Sequence, residues 1–145
     1  MNDLDKLYRE IIMDHYKNPH HKGLRNGEEY KNTRLKNSSC GDEVTIQLKI
    51  KDHKIEEVNF DGSGCSISMS SASILTDVLT GKTVAEAKIL IEDFFNLVKG
   101  ETVKHANELE DAIVYKGVSN YPARVKCACL AWHAALDGMS GDENE

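Results

Sequence analysis

Hydrophobic and polar residues alternate over positions 44–50, and the alternation returns at Val58 and Phe60 after a short polar turn. Successive side chains of a β-strand point to opposite faces of a sheet, so this pattern predicts an antiparallel hairpin with one buried and one solvated face. The alternation is weaker over positions 30–37, where we expect a further strand at the edge of the same sheet. The rest of the chain must then supply the layer that covers the buried face.

The hydrophobic period changes to that of an α-helix on both sides of this hairpin. Residues 3–17 place apolar side chains at i, i+3, i+4 and i+7, which predicts an amphipathic helix that buries one stripe. A second helix is expected directly after Cys65, with one apolar face and several small serines. Thr83 and Glu86 have the form of a capping box, which predicts the start of a third helix that reaches Gly100.

The last third of the chain contains an irregular segment and a final helix. Pro122 suits the first turn of that helix, whose inward face includes Cys127. Residues 101–121 are polar and irregular, and we expect them to form a folded excursion around a short apolar patch at Leu109, Ile113 and Val114. The tail over 140–145 is predicted to be frayed.

The order of these elements is helix, strands and then helices. It predicts an α+β fold in which helices pack on one face of a small antiparallel three-stranded sheet. All 145 residues are assigned to a single domain, because no internal repeat or linker interrupts them. A chain of this length removes about 70% of its unfolded surface from water, enough for a core without disulfides.

Composition and charge exclude several classes of partner. The formal net charge is -6 and no local run of Lys and Arg offsets it, which disfavours nucleic acid and anionic membrane surfaces. No apolar stretch approaches the roughly 20 residues that span a bilayer, and the acidic N-terminus lacks the chemistry of a secretory signal. We therefore expect a cytoplasmic protein, in which cysteines serve as thiolates, metal ligands or core residues rather than disulfides.

Three of the cysteines fall at or near predicted element boundaries, where side chains from distant segments can converge. Cys40 precedes a strand, Cys65 begins a helix, and Cys127 faces inward on the last helix. Asp42 would share one strand face with Cys40, so the four side chains offer three sulfurs and one oxygen, enough for a tetrahedral zinc site. The alternative is that these are buried core cysteines, because their spacing has no CxxC form.

Charged residues next to Cys127 suit such a site. Three thiolates and a carboxylate around Zn²⁺ leave an excess of negative charge. Arg124 and Lys126 would lie beside the site and offset that charge, although a solvated helix start would also carry such residues.

The other potential ligands are weaker candidates. Cys129 follows Cys127 by two residues, which on a helix turns its side chain about 200° away, so we expect it to be a bystander. Cys129 and His133 share a helix face at i, i+4, which we interpret as ordinary helix surface. His20 and His21 are adjacent in a polar loop, so we expect them to point apart into solvent. No pattern singles out the remaining histidines: His15, His53 and His105.

Four segments carry a resemblance to a known family: IIMDHYKNP at 11–19, SCGD at 39–42, GSGCSIS at 62–68 and ARVKC at 123–127. They resemble the U-type iron-sulfur cluster assembly proteins, which include the IscU and SufU branches, over nearly the whole chain. The resemblance implies an IscU/SufU-like fold and a pyridoxal-phosphate-dependent, SufS-like cysteine desulfurase as partner. It also implies four metal-site residues: Cys40, Asp42, Cys65 and Cys127.

Departures from the scaffold branch favour the SufU branch. Lys126 occupies the position at which the scaffold branch carries a histidine before its last cysteine. Only Pro122 remains of that branch's Leu-Pro-Pro-Val-Lys chaperone-docking motif, and the excursion over 100–120 resembles the SufU insertion. The resemblance thus implies a zinc-dependent sulfurtransferase in which Cys40 accepts persulfide sulfur and passes it toward a downstream Suf assembly scaffold.

Two alternatives remain open on the sequence. In the first, the same four residues build a labile [2Fe-2S] cluster or hold Fe²⁺, since thiolates are also the usual cluster ligands. In the second, the protein is a structural zinc module that binds the desulfurase without chemistry, so that Cys40 matters for folding alone.

Overall fold

The computed structural model describes residues 3–38 and 41–140, and within them it has one three-stranded sheet, four α-helices and a long 3₁₀ segment. In chain order these are α1 (Asp3–Lys17), β1 (Tyr30–Asn37), β2 (Asp42–Lys51), β3 (Lys54–Ser63), α2 (Ser66–Leu79), α3 (Val84–Val98), the 3₁₀ segment (Ala106–Asn120) and α4 (Pro122–Gly138). The predicted fold class is confirmed. Of the tail predicted to be frayed over 140–145, residues 141–145 lie outside the described part, as does Cys40.

The sheet has the order β1-β2-β3, with both pairs antiparallel. Its inner face carries the predicted alternation, since Val44, Ile46 and Leu48 of β2 are at most 1% exposed. The opposite face of the sheet is less exposed to solvent than expected. Gln47 is fully buried there because its side chain bonds the main chain of Arg25, at 2.8 and 2.9 Å, and the Asn59 amide at 3.1 Å.

Helix α2 is buried on nearly every side, so the prediction of a single apolar face was incomplete. Its small serines reach neighbouring elements by hydrogen bonds that make burial tolerable. The Ser71 hydroxyl donates to the main-chain oxygen of Ala128 at 2.7 Å and accepts the Trp132 indole N–H at 2.9 Å. Ser70 and Tyr115 join their hydroxyls at 2.5 Å, and burial raises the pKa of that tyrosine.

The apolar stripe of helix α1 is only partly covered by the rest of the protein, contrary to expectation. Leu4 and Leu7 remain 52% and 49% exposed, whereas the buried residue of this helix is His15. Helix α1 therefore differs from an ordinary amphipathic helix, because its most buried side chain is an imidazole rather than an apolar group.

The segments around α3 follow the sequence closely. Thr83 and Glu86 form both hydrogen bonds of the predicted capping box. The polar stretch after α3 is folded, as expected, into the 3₁₀ segment, which turns sharply at Glu110 (φ 51°). Leu109 and Val114 of its apolar patch are buried, and Ile113 is half-buried. Among the described helices none has both the length and the apolar character required to cross a bilayer.

Candidate metal centre

Cys65 lies where strand β3 gives way to helix α2. It is the N-cap residue of that helix, with extended backbone angles, and its sulfur accepts the Ser68 backbone N–H at 3.5 Å. This confirms the predicted place of the cysteine at a helix start. The first residues of an α-helix carry N–H groups without helical partners, and the Cys65 sulfur satisfies one of them. The residue as a whole is exposed.

Asp42, the first residue of β2, contacts the same helix start. Its side chain is buried, and Oδ1 accepts the Cys65 backbone N–H at 2.9 Å while Oδ2 lies 3.5 Å from Cys65 Sγ. The Ser68 hydroxyl donates to Oδ2 as well. Gly64 makes this approach possible, because a Cβ at that position would lie 2.4 Å from Asp42 Oδ1. Sequence reasoning passed over both Gly64 and Ser68, whose roles arise from contacts between β2 and α2.

Cys127 reaches this corner from helix α4. It is buried, and its sulfur, the Cys65 sulfur and an Asp42 carboxylate oxygen all lie within 4.8 Å of one another. Zinc bonds of about 2.0 to 2.3 Å place tetrahedral ligands about 3.5 to 4 Å apart, so modest side-chain movement fits these donors around one ion. Two sulfurs and one carboxylate are also the donor types that zinc accepts. The structure therefore brings together three of the four residues expected at the site.

The fourth expected residue, Cys40, lies outside the described residues. The described chain stops at Ser38 and resumes at Gly41, next to Asp42. Gly41 has φ 74°, a left-handed conformation that glycine adopts without strain.

The two cationic residues expected beside the site belong to the exposed start of α4. The Arg124 guanidinium lies over the Tyr121 ring, 4.8 Å from its centroid. Lys126 borders a cavity of about 390 Å³. Both residues are close to Cys127 in the chain, but Arg124 contacts the Tyr121 ring and Lys126 lies at the edge of the cavity.

Cys129 lines that cavity and is not part of an ordinary helix surface, so this interpretation was wrong for the cysteine. Its side chain is only 7% exposed, and burial raises its pKa to about 11. His133, one turn later, stacks on Phe95 with ring centroids 4.4 Å apart. The thiol therefore belongs to the hydrophobic core, and the group of potential metal ligands contains Cys127 instead.

A second group of potential ligands consists of His15, His20 and Asp77. Sequence analysis placed His20 and His21 in solvent and pointing apart; both side chains are exposed, at 46% and 47%, but they do not point apart. Both face Asp77, with His20 Nδ1 2.5 Å from Oδ2 and His21 Nε2 3.5 Å from Oδ1. His15 showed no signal in the sequence because its environment is created by the packing of α1 on α2.

Comparison with known proteins gives consistent matches. The family described as NifU-like N terminal domain matches residues 7–128. The zinc-dependent sulfurtransferase SufU of Bacillus subtilis is 39% identical, with 97% of this chain and 95% of that protein aligned. The iron-sulfur cluster assembly scaffold protein IscU of Streptococcus pyogenes is 37% identical over 99% and 89% of the two chains. A solved structure from Fervidobacterium islandicum, of a candidate scaffold for the SUF system, has a TM-score of 0.80 at 36% identity, with 90% and 95% covered.

Proposed function

This chain belongs to the NifU-like N-terminal domain family, and we propose that it is a zinc-dependent sulfurtransferase that relays persulfide sulfur from a cysteine desulfurase to iron-sulfur cluster assembly. The observation that carries the proposal is the convergence of Asp42, Cys65 and Cys127 at the start of α2. The Bacillus subtilis relative that is 39% identical is named a zinc-dependent sulfurtransferase.

Each of the three described residues is held in a position from which it would bind a zinc ion. Asp42 is oriented by the Cys65 backbone N–H and the Ser68 hydroxyl, so its carboxylate keeps one direction. Cys65 is fixed by the helix start and Cys127 by its burial in α4. Zinc supplies a redox-silent cation that stabilises thiolates. Any redox chemistry must therefore occur at sulfur.

Cys40 is assigned the acceptor role. Cys127 and Cys129 are buried, and the Cys65 sulfur is engaged by Ser68 and Asp42. In the proposed step the Cys40 thiolate attacks the outer sulfur of the desulfurase persulfide. A new S–S bond forms on Cys40, the S–S bond of the desulfurase breaks, and the desulfurase cysteine leaves as a thiolate, so no external oxidant is needed.

The second candidate function is a scaffold for a [2Fe-2S] cluster, the role named for the Streptococcus pyogenes relative. Thiolates would hold either group. Lys126 favours the sulfur-relay proposal, because a protonated lysine offers no lone pair to iron at the position where scaffold-branch proteins carry a histidine.

Metal analysis separates these two functions. Full-length protein purified without oxygen and without added metal should contain about one zinc per chain and have no visible absorbance. Iron near stoichiometry with a reproducible cluster spectrum would instead support the scaffold function.

Mass spectrometry tests the acceptor. After incubation with a pyridoxal-phosphate cysteine desulfurase and cysteine, wild type should carry a single added sulfur, and Cys40→Ser should carry none while circular dichroism shows a folded protein. Cys129→Ser is the matched control and should keep the adduct, because this thiol is buried away from the metal-ligating group. An adduct at wild-type level in Cys40→Ser would assign transfer to another cysteine. Desulfurase binding without any adduct on wild type would indicate a structural zinc module.

A further inference from the structure

The histidines beside α2 form a compact group with one carboxylate. The His15 ring is buried, and its centroid lies 4.5 Å from that of His20. His20 Nδ1 lies 2.5 Å from Asp77 Oδ2, and ligand atoms of all three residues lie within 4.8 Å of one another. Two imidazoles and a carboxylate are a donor set typical of divalent transition metals.

Hydrogen bonds hold this group in place from several elements. Ser73, one turn before Asp77 on α2, accepts the His20 backbone N–H at 2.8 Å, and its hydroxyl lies 2.7 Å from His15 Nδ1. The His21 carbonyl accepts the Phe60 N–H at 3.0 Å, which attaches the loop to the free edge of β3. The ligands are therefore arranged before any ion binds, which lowers the ordering cost of binding.

Neighbouring groups complete the surroundings that a metal requires. The Ser73 hydroxyl lies 2.7 Å from His15 Nδ1 and holds the buried imidazole in one orientation. Asp111 lies 3.5 Å from His15 Nε2 and adds a second negative charge beside the group. His21 approaches the other oxygen of Asp77 and is exposed enough to turn toward an ion. An ion between His20 and Asp77 would replace the proton they share and widen their contact by less than about 1 Å.

We propose that His15, His20 and Asp77 bind one divalent transition-metal ion of the zinc, cobalt or nickel type, at a site separate from the cysteine-containing centre. Asp77 follows Cys65 by twelve residues on the helix, which separates the two sites by about 18 Å along α2. The site joins α1, the loop after it and α2. It thereby supplies an attachment for a helix whose apolar stripe is only partly covered.

Cobalt titration of the full-length protein tests this proposal, because Co²⁺ bound by thiolates has an intense near-ultraviolet charge-transfer band that an imidazole-carboxylate site lacks. Metal-free wild type should bind two Co²⁺ per chain by equilibrium dialysis, one with that band and one without it. His20→Gln and the double variant His20→Gln/Asp77→Asn should weaken only the second ion, by more than about tenfold, since even loss of an outer partner costs that much. His20 is partly exposed, so folding should be retained.

The matched control is His53→Asn, which removes one exposed imidazole in the turn between β2 and β3. Asn suits its left-handed conformation, φ 62°. This variant should keep both ions. Wild type that binds Co²⁺ only with the thiolate band would overturn the proposal and leave the group as hydrogen-bonded imidazoles and carboxylate. Persistence of the second ion in the double variant would overturn it equally. Loss of the thiolate band alone would count against the cysteine site and not against this one.

Discussion

Both groups of potential metal ligands lie against helix α2, and the two are built in different ways. The cysteine group lies at the helix start, where the Cys65 sulfur accepts the Ser68 N–H and Asp42 accepts the Cys65 N–H. The histidine group lies on the helix side, where Asp77 meets imidazoles contributed by α1 and the following loop. The starts of β2 and α2 thus supply two members of the first group, whereas packing of helices side by side creates the second.

The difference extends to metal preference and access. Sulfur donors select zinc and cluster iron, whereas imidazole and carboxylate suit zinc, cobalt and nickel. Cys65 is exposed, whereas His15 is buried. This contrast suits a reactive first site and a structural second one.

Removal of metal should have the largest effect on stability. Ligands that are far apart in the unfolded chain make metal binding part of the folding free energy. At a zinc concentration a hundredfold above Kd, each site adds about 2.7 kcal/mol, so chelation should lower Tm by about 5 to 10 °C per site. Differential scanning calorimetry of metal-loaded and metal-free wild type measures this shift. An unchanged Tm after verified zinc removal would contradict it.

Ser73→Ala should affect the histidine group alone. Its hydroxyl is fully buried and serves both His15 and the His20 backbone, so its loss leaves polar groups unsatisfied at about 1 to 3 kcal/mol. Urea unfolding measures the change, with Ser63→Ala at the exposed end of β3 as control. The thiolate band of bound Co²⁺ should remain. If Ser73→Ala left the free energy of unfolding unchanged, or removed the thiolate band, the histidine and cysteine groups would not be organised as described.

Asp42→Ala should loosen the cysteine group without emptying it. Two sulfurs and Cys40 would retain zinc, but water would take the vacated position, and release to a chromophoric chelator should become about tenfold faster or more. Reversion toward the wild-type rate in Asp42→Glu would support a ligand role. Wild-type release from Asp42→Ala would mean that the site has a different fourth partner.

Cys129 should show the smallest effect, limited to slow labelling and an alkaline loss of stability. Burial raises its pKa to about 11, so iodoacetamide near pH 8 should label Cys65 of the metal-free protein well before Cys129. Between the ordinary value of 9.0 and about 11 the unfolded chain loses this proton while the folded one keeps it, so stability falls as pH rises. Cys129→Ala should flatten that slope. Equal labelling of both cysteines, read by peptide mapping, would contradict the burial.

Local patterns allowed much of the fold to be predicted. The inner face of β2 and the capping box at Thr83 depend on neighbouring residues alone, through strand alternation and one turn of hydrogen bonds. The helix start at Cys65 depends on its immediate neighbours in the same way. The exposure of Leu4 and Leu7 escaped prediction because the period of a helix indicates an apolar side but not how much of it a neighbour covers.

The cysteine group was predictable only in part. A resemblance in short motifs indicated its members, but the contact between Asp42 and Cys65 depends on β2 lying beside the start of α2, and on Gly64 leaving room for the carboxylate.

By itself the sequence determined where strands and helices begin, which strand face is buried and which cysteines are available at element ends, because these follow from bonds and side-chain directions within a few residues. Only the tertiary structure decided that Cys129 is buried and that His15 meets Ser73, 58 residues away. Such contacts depend on how helices pack side by side. Their energy comes from close-packed neighbours far apart in the chain, and no local period records which neighbours those will be.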